Sequence, residues 1–360
     1  MGKDYFISSS GLHIDFVKGW FESKCQFPYG IKTFKEFVEK CFDHPQDTYP
    51  KTIEFFINKL AITQFFLDTL SENLSVLPRW NRILDIGTGP AIHPRVLRLL
   101  GFCKETYGID ILDRSNDYPD AVFKQTCDFF YNLMMANDFS ENKRATLANA
   151  AEVFKSVGHH GSPFYISSLL NQQRDFSLTK YIVDDFMKWD SKDLSFDLIT
   201  GFMCIEYFKI APFIQKISNL LNKGGIFYFI VDYWYGIWGQ SMQLPMDAPW
   251  LHTRLSLDDI KRYYRECRGD IYKYAEKAIY FGSSHITSTD YINTANKYGL
   301  KLILCRRSFD ENVNEYVWKI NEMSEYFFKQ VLPQAQKINP NVTNKDFFTR
   351  YLTMAFIKAE

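Results

Sequence analysis

The sequence carries no excess of either charge: 42 lysines and arginines stand against 42 aspartates and glutamates, with no run of basic residues. Binding a polyanion leans on a basic surface, so a nucleic-acid partner is not expected. Cysteine is scarce and scattered, seven residues at 25, 41, 103, 127, 204, 267 and 305, with no Cys-x-x-Cys. An odd, dispersed set supports neither a disulfide framework nor a zinc cluster and suits reduced thiols. His159-His160 lies between glycines with no Cys, Asp or Glu at ligand spacing, so it reads as a solvated turn, and no metal is expected. Long apolar runs are also missing. The strongest, Ile226–Val231, is far too short to span a bilayer. The opening Met1-Gly-Lys-Asp-Tyr-Phe6 lacks the apolar core of a leader, and Phe6 stands where myristoylation needs Ser or Thr. These absences point to a cytoplasmic protein with no membrane partner, in which the sequons at Asn73 and Asn341 are accidental.

What the chain does contain is a strand-turn-helix-strand pattern. Arg82-Ile-Leu-Asp-Ile-Gly-Thr-Gly-Pro-Ala91 is an apolar run ending in Gly87 and Gly89. A helical stretch from Pro94 to Leu100 follows, then Tyr107-Gly-Ile-Asp-Ile-Leu-Asp113, a second apolar run closing on an acid. Glycines at such a turn accept positive φ and let a ligand approach backbone. The helix start favours an anionic group, and a carboxylate ending the next strand can hold both hydroxyls of a ribose. The site is built for a nucleoside-containing cofactor. A dinucleotide fold wants Gly-x-Gly-x-x-Gly, and here its third position is the bulky Ile92.

With the strand Ile83–Ile86, the turn instead resembles the first motif of class I S-adenosylmethionine-dependent methyltransferases, Leu-Asp-Ile-Gly-x-Gly-x-Gly, with Ala91 in place of the third glycine. Asp110 falls where that family holds the ribose. Tyr181-Ile-Val-Asp-Asp-Phe186 resembles the third-strand motif, in which Asp185 would accept the adenine amino group and the Phe186 amide would meet a ring nitrogen. Phe196-Asp-Leu-Ile-Thr200 is similar to the fourth strand, and Leu220–Asp232 reads as a helix end, a Gly224-Gly225 cap and the fifth strand. Tyr298–Cys305 and Tyr351–Lys358 fit the last two strands, which pair antiparallel in the family. Together these segments cover about half the chain. The resemblance implies an α/β, Rossmann-like, doubly wound seven-stranded sheet, its last strand antiparallel, with a helical N-terminal cap and helical lid insertions. It implies S-adenosylmethionine as cofactor, contacted by Asp85, Gly87, Thr88, Gly89, Asp110, Ile111, Asp185, Phe186, Gly201 and Phe202.

The expected organisation is a helical cap over residues 1–80 and a methyltransferase domain over 81–360, with insertions at 114–180, 233–287 and 310–350. Helical patterns run over Thr33–Phe42 and Thr52–Leu74 in the cap, Asp120–Ala136 and Asn142–Val157 in the first insertion, Leu257–Ala278 in the second and Glu311–Leu332 in the third. Ser256 and Asp259 are spaced for a capping box. Aromatics reach 17% of the chain. Tyr233, Trp234, Tyr235 and Trp238 either pack the lid on the sheet or form a wall for an aromatic or cationic acceptor.

Methyl transfer from a sulfonium asks the protein to align a nucleophile and exclude water, with a base only when the acceptor arrives protonated. Glu206 and Tyr207 rank first as catalytic candidates because they follow the fourth strand. His252 and His285, which bracket the second insertion, come next, and Asp232 ends the fifth strand. For Glu206 the plainer role is a buried carboxylate that orients its surroundings, and for the histidines a structural one. Several subclasses lack their marks here. Gly201-Phe-Met-Cys204 has no proline where base and glutamine amino-methylases have a Pro-Pro-Tyr turn. No Pro-Cys nucleophile exists, and no Asp-Asn pair for magnesium. The expected reaction is direct, metal-independent transfer to a small-molecule acceptor at O, N, C or S, as in specialised metabolism, by a chain whose aromatic additions at both ends suit a homodimer. A protein, peptide or RNA methyltransferase, or a non-methylating nucleoside-binding member of the fold, stays open as an alternative.

Overall fold

The computed structural model describes residues 4–20, 53–74, 77–99, 101–117, 178–236, 246–269, 272, 284–309 and 325–359, and gives the backbone alone at 53–58, 60, 61 and 309. The sequence-predicted helices at 33–42, 120–136 and 142–157, together with His159, His160 and Trp238, lie outside them.

The strands are β1 (Tyr5–Ile7), β2 (His13–Asp15), β3 (Trp80–Ile86), β4 (Cys103–Asp110), β5 (Lys180–Val183), β6 (Phe196–Phe202), β7 (Leu221–Asp232), β8 (Leu300–Phe309) and β9 (Thr349–Lys358). The helices are α1 (Ile53–Ser71), α2 (Ile92–Leu99), α3 (Ile210–Leu220), α4 (Leu257–Cys267), α5 (Ser288–Lys297), α6 (Leu332–Ile338) and α7 (Asn344–Phe347). Seven strands form one sheet in the order β5-β4-β3-β6-β7-β9-β8. β9 runs antiparallel to both its neighbours, while β5, β4, β3, β6 and β7 run parallel. The chain begins the sheet at β3, builds outward through β4 and β5, then returns to β6 on the other side of β3. That reversal opens a crevice at the carboxyl ends of β3 and β6, where ligands of open α/β sheets bind.

The central strands are buried on both faces, as their continuous apolar runs require. Along β7 the side chains divide with period two. Ile226, Tyr228 and Ile230 join α1 and α2 through Phe66, Leu70 and Val96 on one face. Phe227, Phe229 and Val231 join α3 and α5 through Phe213, Ile217 and Tyr291 on the other. Among the described residues no helix is long and apolar enough to cross a membrane.

Four local expectations need correction. The helix read over 257–278 stops at Cys267, where Arg268 leaves the helical region. Gly224-Gly225 does not cap α3, because the chain is already extended at Leu221, whose N–H bonds the Ile217 carbonyl. The glycines serve a register shift between β6 and β7, where a Cβ on Gly225 would lie 2.8 Å from the Asn222 carbonyl oxygen. Residues 5–15 form a β-hairpin within a region read as helical. The box at Ser256 is half made. Ser256 accepts from the Asp259 N–H at 3.1 Å, but the Asp259 carboxylate receives the N–H and hydroxyl of Ser9 at 2.9 and 2.7 Å. That contact, with Phe6 edge-on to Tyr263 at 5.8 Å, fastens the hairpin to α4.

Candidate active site

The turn after β3 is held by a buried carboxylate. Asp85 is 1% exposed, and its two oxygens receive the hydroxyls of Thr88 and Thr200 at 2.8 and 2.7 Å. Burial raises its pKa to about 6 against the pull of those bonds and of the Lys59 charge. Asp85 and Thr88 thus spend their side chains on the turn itself. Gly87 and Gly89 take φ of 61° and 53°, and Ala91 follows at 56° despite its Cβ. A Cβ on Gly87 would meet the Cys204 Cβ at 2.6 Å, whereas beside Gly89 nothing lies within 4 Å. One glycine is needed for packing, the other leaves open space.

At the end of β4 the Asp110 carboxylate accepts the Gly89 N–H at 2.9 Å and the Leu112 N–H at 3.1 Å. Ile111, next to it, is 71% exposed, an uncovered apolar face beside a carboxylate. Asp185 and Phe186 follow β5. Asp185 accepts the Met187 N–H at 2.9 Å, and Phe186 is buried against Phe208 and Phe213. Tyr181, which sequence reasoning used only as strand, holds its hydroxyl 2.8 Å from the Gly89 carbonyl oxygen and 3.1 Å from that of Leu112, its one proton shared between them. It clamps the two loops that flank Asp110 and lies 92 residues from Gly89, so no local signal announces it.

Helix α1 reaches the same place. Thr63 gives its hydroxyl to the Lys59 carbonyl at 2.9 Å and meets His93 Nδ1 at 2.8 Å. Because that hydroxyl has a single proton, Nδ1 is the donor and Nε2 keeps a lone pair. Nε2 has no partner among the described residues, the ring lies 4.2 Å from Phe202, and burial holds His93 well below its ordinary pKa. Lys59 is also lowered by burial, partly offset by the charge of Asp85. A cation from α1 thus stands within electrostatic reach of the glycine turn. Nothing in the sequence around Lys59 signals this.

Beyond β6, Gly201 and Phe202 lead into a tight passage. Met203 takes φ 59°, Cys204 donates its thiol to the Ile86 carbonyl at 3.0 Å, and a single 3-10 turn spans Ile205–Tyr207. A Cβ on Gly201 would strike Ile205 Cδ1 at 2.4 Å, and Phe202 is buried between His93 and Phe66. Glu206 is buried, and burial, helped by the negative charge of Asp232, pushes its pKa up to about 8. At neutral pH it is mostly a neutral acid. Tyr207 beside it is 44% exposed.

His252 and His285 come together around Trp234, edge-on at 5.3 and 5.1 Å. His252 Nε2 sits 2.8 Å from the Trp234 carbonyl. Burial lowers both histidines to about 4, so both are neutral. Tyr233, Trp234 and Tyr235 are buried. The Tyr233 hydroxyl donates to Asp346 at 2.6 Å and accepts the Ser288 N–H at 2.9 Å, and Tyr235 donates to the His285 carbonyl at 3.0 Å. These three aromatics pack the addition onto the sheet, the first of the two readings of this segment.

A family profile described as a methyltransferase domain matches residues 59–302. No curated protein matches the chain. Among solved structures, the chain is similar to phosphoethanolamine N-methyltransferase 2 of Haemonchus contortus in complex with S-adenosyl-L-methionine, with 14% identity and a TM-score of 0.42 over 93% of this chain and 62% of that one. It is also similar to a protein of Galdieria sulphuraria assigned as a sarcosine dimethylglycine methyltransferase, with 14% identity and a TM-score of 0.40 over 83% and 85% of the two chains. The N-methyltransferase NodS of Bradyrhizobium japonicum aligns at 12% identity with a TM-score of 0.35 over 83% and 97%. With the profile spanning most of its length and the crevice where this sheet order demands it, the chain belongs to the methyltransferase domain family, the class I enzymes that use S-adenosylmethionine.

Proposed function

We propose that this chain methylates a small neutral molecule by direct, metal-independent displacement, with the cofactor lying along the crevice from Asp185 to Glu206. The observation that carries the reading is the pairing of an exposed Ile111 with an Asp110 whose carboxylate is already aimed by two backbone N–H groups. That is the pattern a nucleoside needs: an apolar face for the base and an acceptor for two hydroxyls. The open space beside Gly89 supports the same fit, since a ligand can reach backbone there without displacing a side chain.

Asp110 would hold the ribose hydroxyls, Ile111 would cover the adenine, and Asp185 with the Phe186 amide would read its edge. Gly87, Thr88 and Gly89 would offer backbone to the amino-acid end, with Lys59 as the cation for its carboxylate. When bound, S-adenosylmethionine supplies an electrophilic methyl group. Phe202 and Met203 would exclude water from that end of the crevice. Glu206, ionised, would take a proton from an acceptor that arrives protonated. With a pKa of about 8 it is matched to that task near neutral pH, where a base must be both present and strong. Tyr207, half exposed, would face the acceptor's entry. The buried, neutral His252 and His285 would act by supporting Trp234 rather than by moving protons.

The test is calorimetric titration with S-adenosylhomocysteine, with NAD as control. The wild-type chain should bind the homocysteine nucleoside and not NAD. Asp110→Ala should weaken that binding about 10- to 100-fold, the worth of hydrogen bonds to a charged group. Binding of NAD instead, or equal affinity in the variant, would overturn the assignment.

A further inference from the structure

On the α1 face of the sheet, directly paired residues Phe202, Ile230 and Thr353 form one row across β6, β7 and β9. The row below it contains Tyr228, whose ring packs on Phe66 at 4.7 Å and whose hydroxyl meets Thr69 at 3.1 Å, filling the space under α1. One row nearer the carboxyl edge, Ile230 and Thr353 are smaller, and Ile62 and Phe65 of α1 do not close the gap. A cavity of about 140 Å³ is left, walled by Ile62, Phe65, Phe202, Met203 and Ile230. Thr353 lines it too, 1% exposed, and its hydroxyl has no partner among the described residues. Ser308 and Tyr351, only half-buried, form its wetter side.

Native proteins rarely leave a buried hydroxyl unpaired, because its lost hydration is uncompensated. A group that a ligand satisfies is the simplest reason to keep one. The volume is close to the ~150 Å³ of an engineered apolar cavity that holds one benzene ring. No described lining residue carries a charge, which argues against a carboxylate, phosphate or ammonium occupant, since a buried charge demands a partner. Phe202 and Met203 join the cavity to the crevice: the next residue, Cys204, abuts Gly87, and Phe202 lies against His93 beside the glycine turn.

We infer that this cavity is the acceptor subsite, taking a neutral, single-ring molecule whose hydroxyl or amino group hydrogen-bonds to Thr353. Its role as acceptor subsite rests on the methyl-transfer reading above, but its ligand class does not. The walls select an apolar ring, and Thr353 at the floor sets the orientation. Such a site discriminates by the polar contact, because an analogue lacking the group leaves the buried hydroxyl unmet.

The experiment uses the full chain, labelled at the isoleucine δ1-methyls and loaded with S-adenosylhomocysteine, titrated with phenol and with toluene by NMR. Both should move the Ile62 and Ile230 signals, with phenol bound about fivefold more tightly. Thr353→Val, close in shape and without the orphaned hydroxyl, should abolish that difference while keeping toluene bound. Ile230→Trp should block both. Equal affinities in the wild type, a phenol advantage that survives Thr353→Val, or shifts confined to isoleucines elsewhere would overturn the inference. Affinity for S-adenosylhomocysteine is measured in parallel. If the wild type fails to bind it, the methyl-transfer reading falls, while the phenol and toluene data still judge the cavity.

Discussion

The two ends of the crevice are built by different means. The end near Asp110 is made of backbone, two glycines and short polar side chains, nearly all within the stretch from Asp85 to Leu112. The end near Phe202 is made of large apolar side chains drawn from α1, β6, β7 and β9, which lie far apart in sequence. The first end carries fixed hydrogen-bond donors and acceptors and suits a ligand of constant chemistry. The second offers shape, and shape is changed by substituting one wall residue. A fold that keeps its cofactor and varies its acceptor divides its labour this way.

The comparison is broken most severely at the glycines. Gly87→Ala combines positive φ with a Cβ 2.6 Å from Cys204, and should lower stability by about 2–4 kcal/mol in chemical denaturation. Gly89→Ala has the same kind of φ in open space and should cost only about 1–2 kcal/mol. Its main effect should be on cofactor affinity, because the new methyl enters the space left for the ligand. If the two variants proved equally unstable and equally able to bind S-adenosylhomocysteine, the distinction between a packing glycine and a ligand glycine would be lost.

A smaller effect comes from Glu206, and it is read by pH. Its pKa rises from 4.5 in the unfolded chain to about 8 in the folded one. Between those values the unfolded state holds fewer protons than the native state, so stability falls as pH rises from about 4.5 to 8 and levels off above. Asp85, raised to about 6, contributes with the same sign over the lower part of that window. Glu206→Gln should therefore remove the decline between pH 6 and 8 and leave below 6 only the shallower one due to Asp85. In activity the same variant should lose the rise of kcat/KM with pH through about 8. A steep decline between pH 6 and 8 that persists in Glu206→Gln would show that another group titrates there.

The smallest effect sharpens the contrast from outside the crevice. Tyr233→Phe removes the hydroxyl shared by Asp346 and the Ser288 N–H, leaving a buried carboxylate less satisfied. Stability should fall by about 0.5–1.5 kcal/mol with no change in affinity for S-adenosylhomocysteine. A change in that affinity would mean the Tyr233–Tyr235 segment takes part in the site as well as in packing.

Much of the structure around Asp110 was legible because its interactions are local. Gly87, Gly89 and Asp110 sit in a strand-turn-helix-strand unit whose periodicity and turn residues announce it. The hairpin at 5–15 was missed because each strand has three residues, too few for an alternating pattern, and only Gly11 with φ of 81° marks the turn. Gly224-Gly225 looked like a helix cap because glycine serves equally at caps and bulges, and only the Phe196 pairing separates the two. Lys59, His93, Tyr181 and Thr353 gave no sign at all. The first three act on groups in other elements and Thr353 faces a cavity walled by other elements, and a lone lysine, histidine, tyrosine or threonine in a helix or strand looks like any other.

The sequence by itself determined the sheet, the glycine turn and the acid that ends β4, because these follow from backbone conformation and from the side-chain period of neighbouring residues. Tertiary structure alone decided that Asp85 is a strut, that Glu206 is a neutral acid at pH 7 and that an unfilled row lies above Tyr228 with Thr353 at its floor. Those are matters of burial and of which distant side chain stands opposite, and no stretch of chain carries that information until the elements have packed.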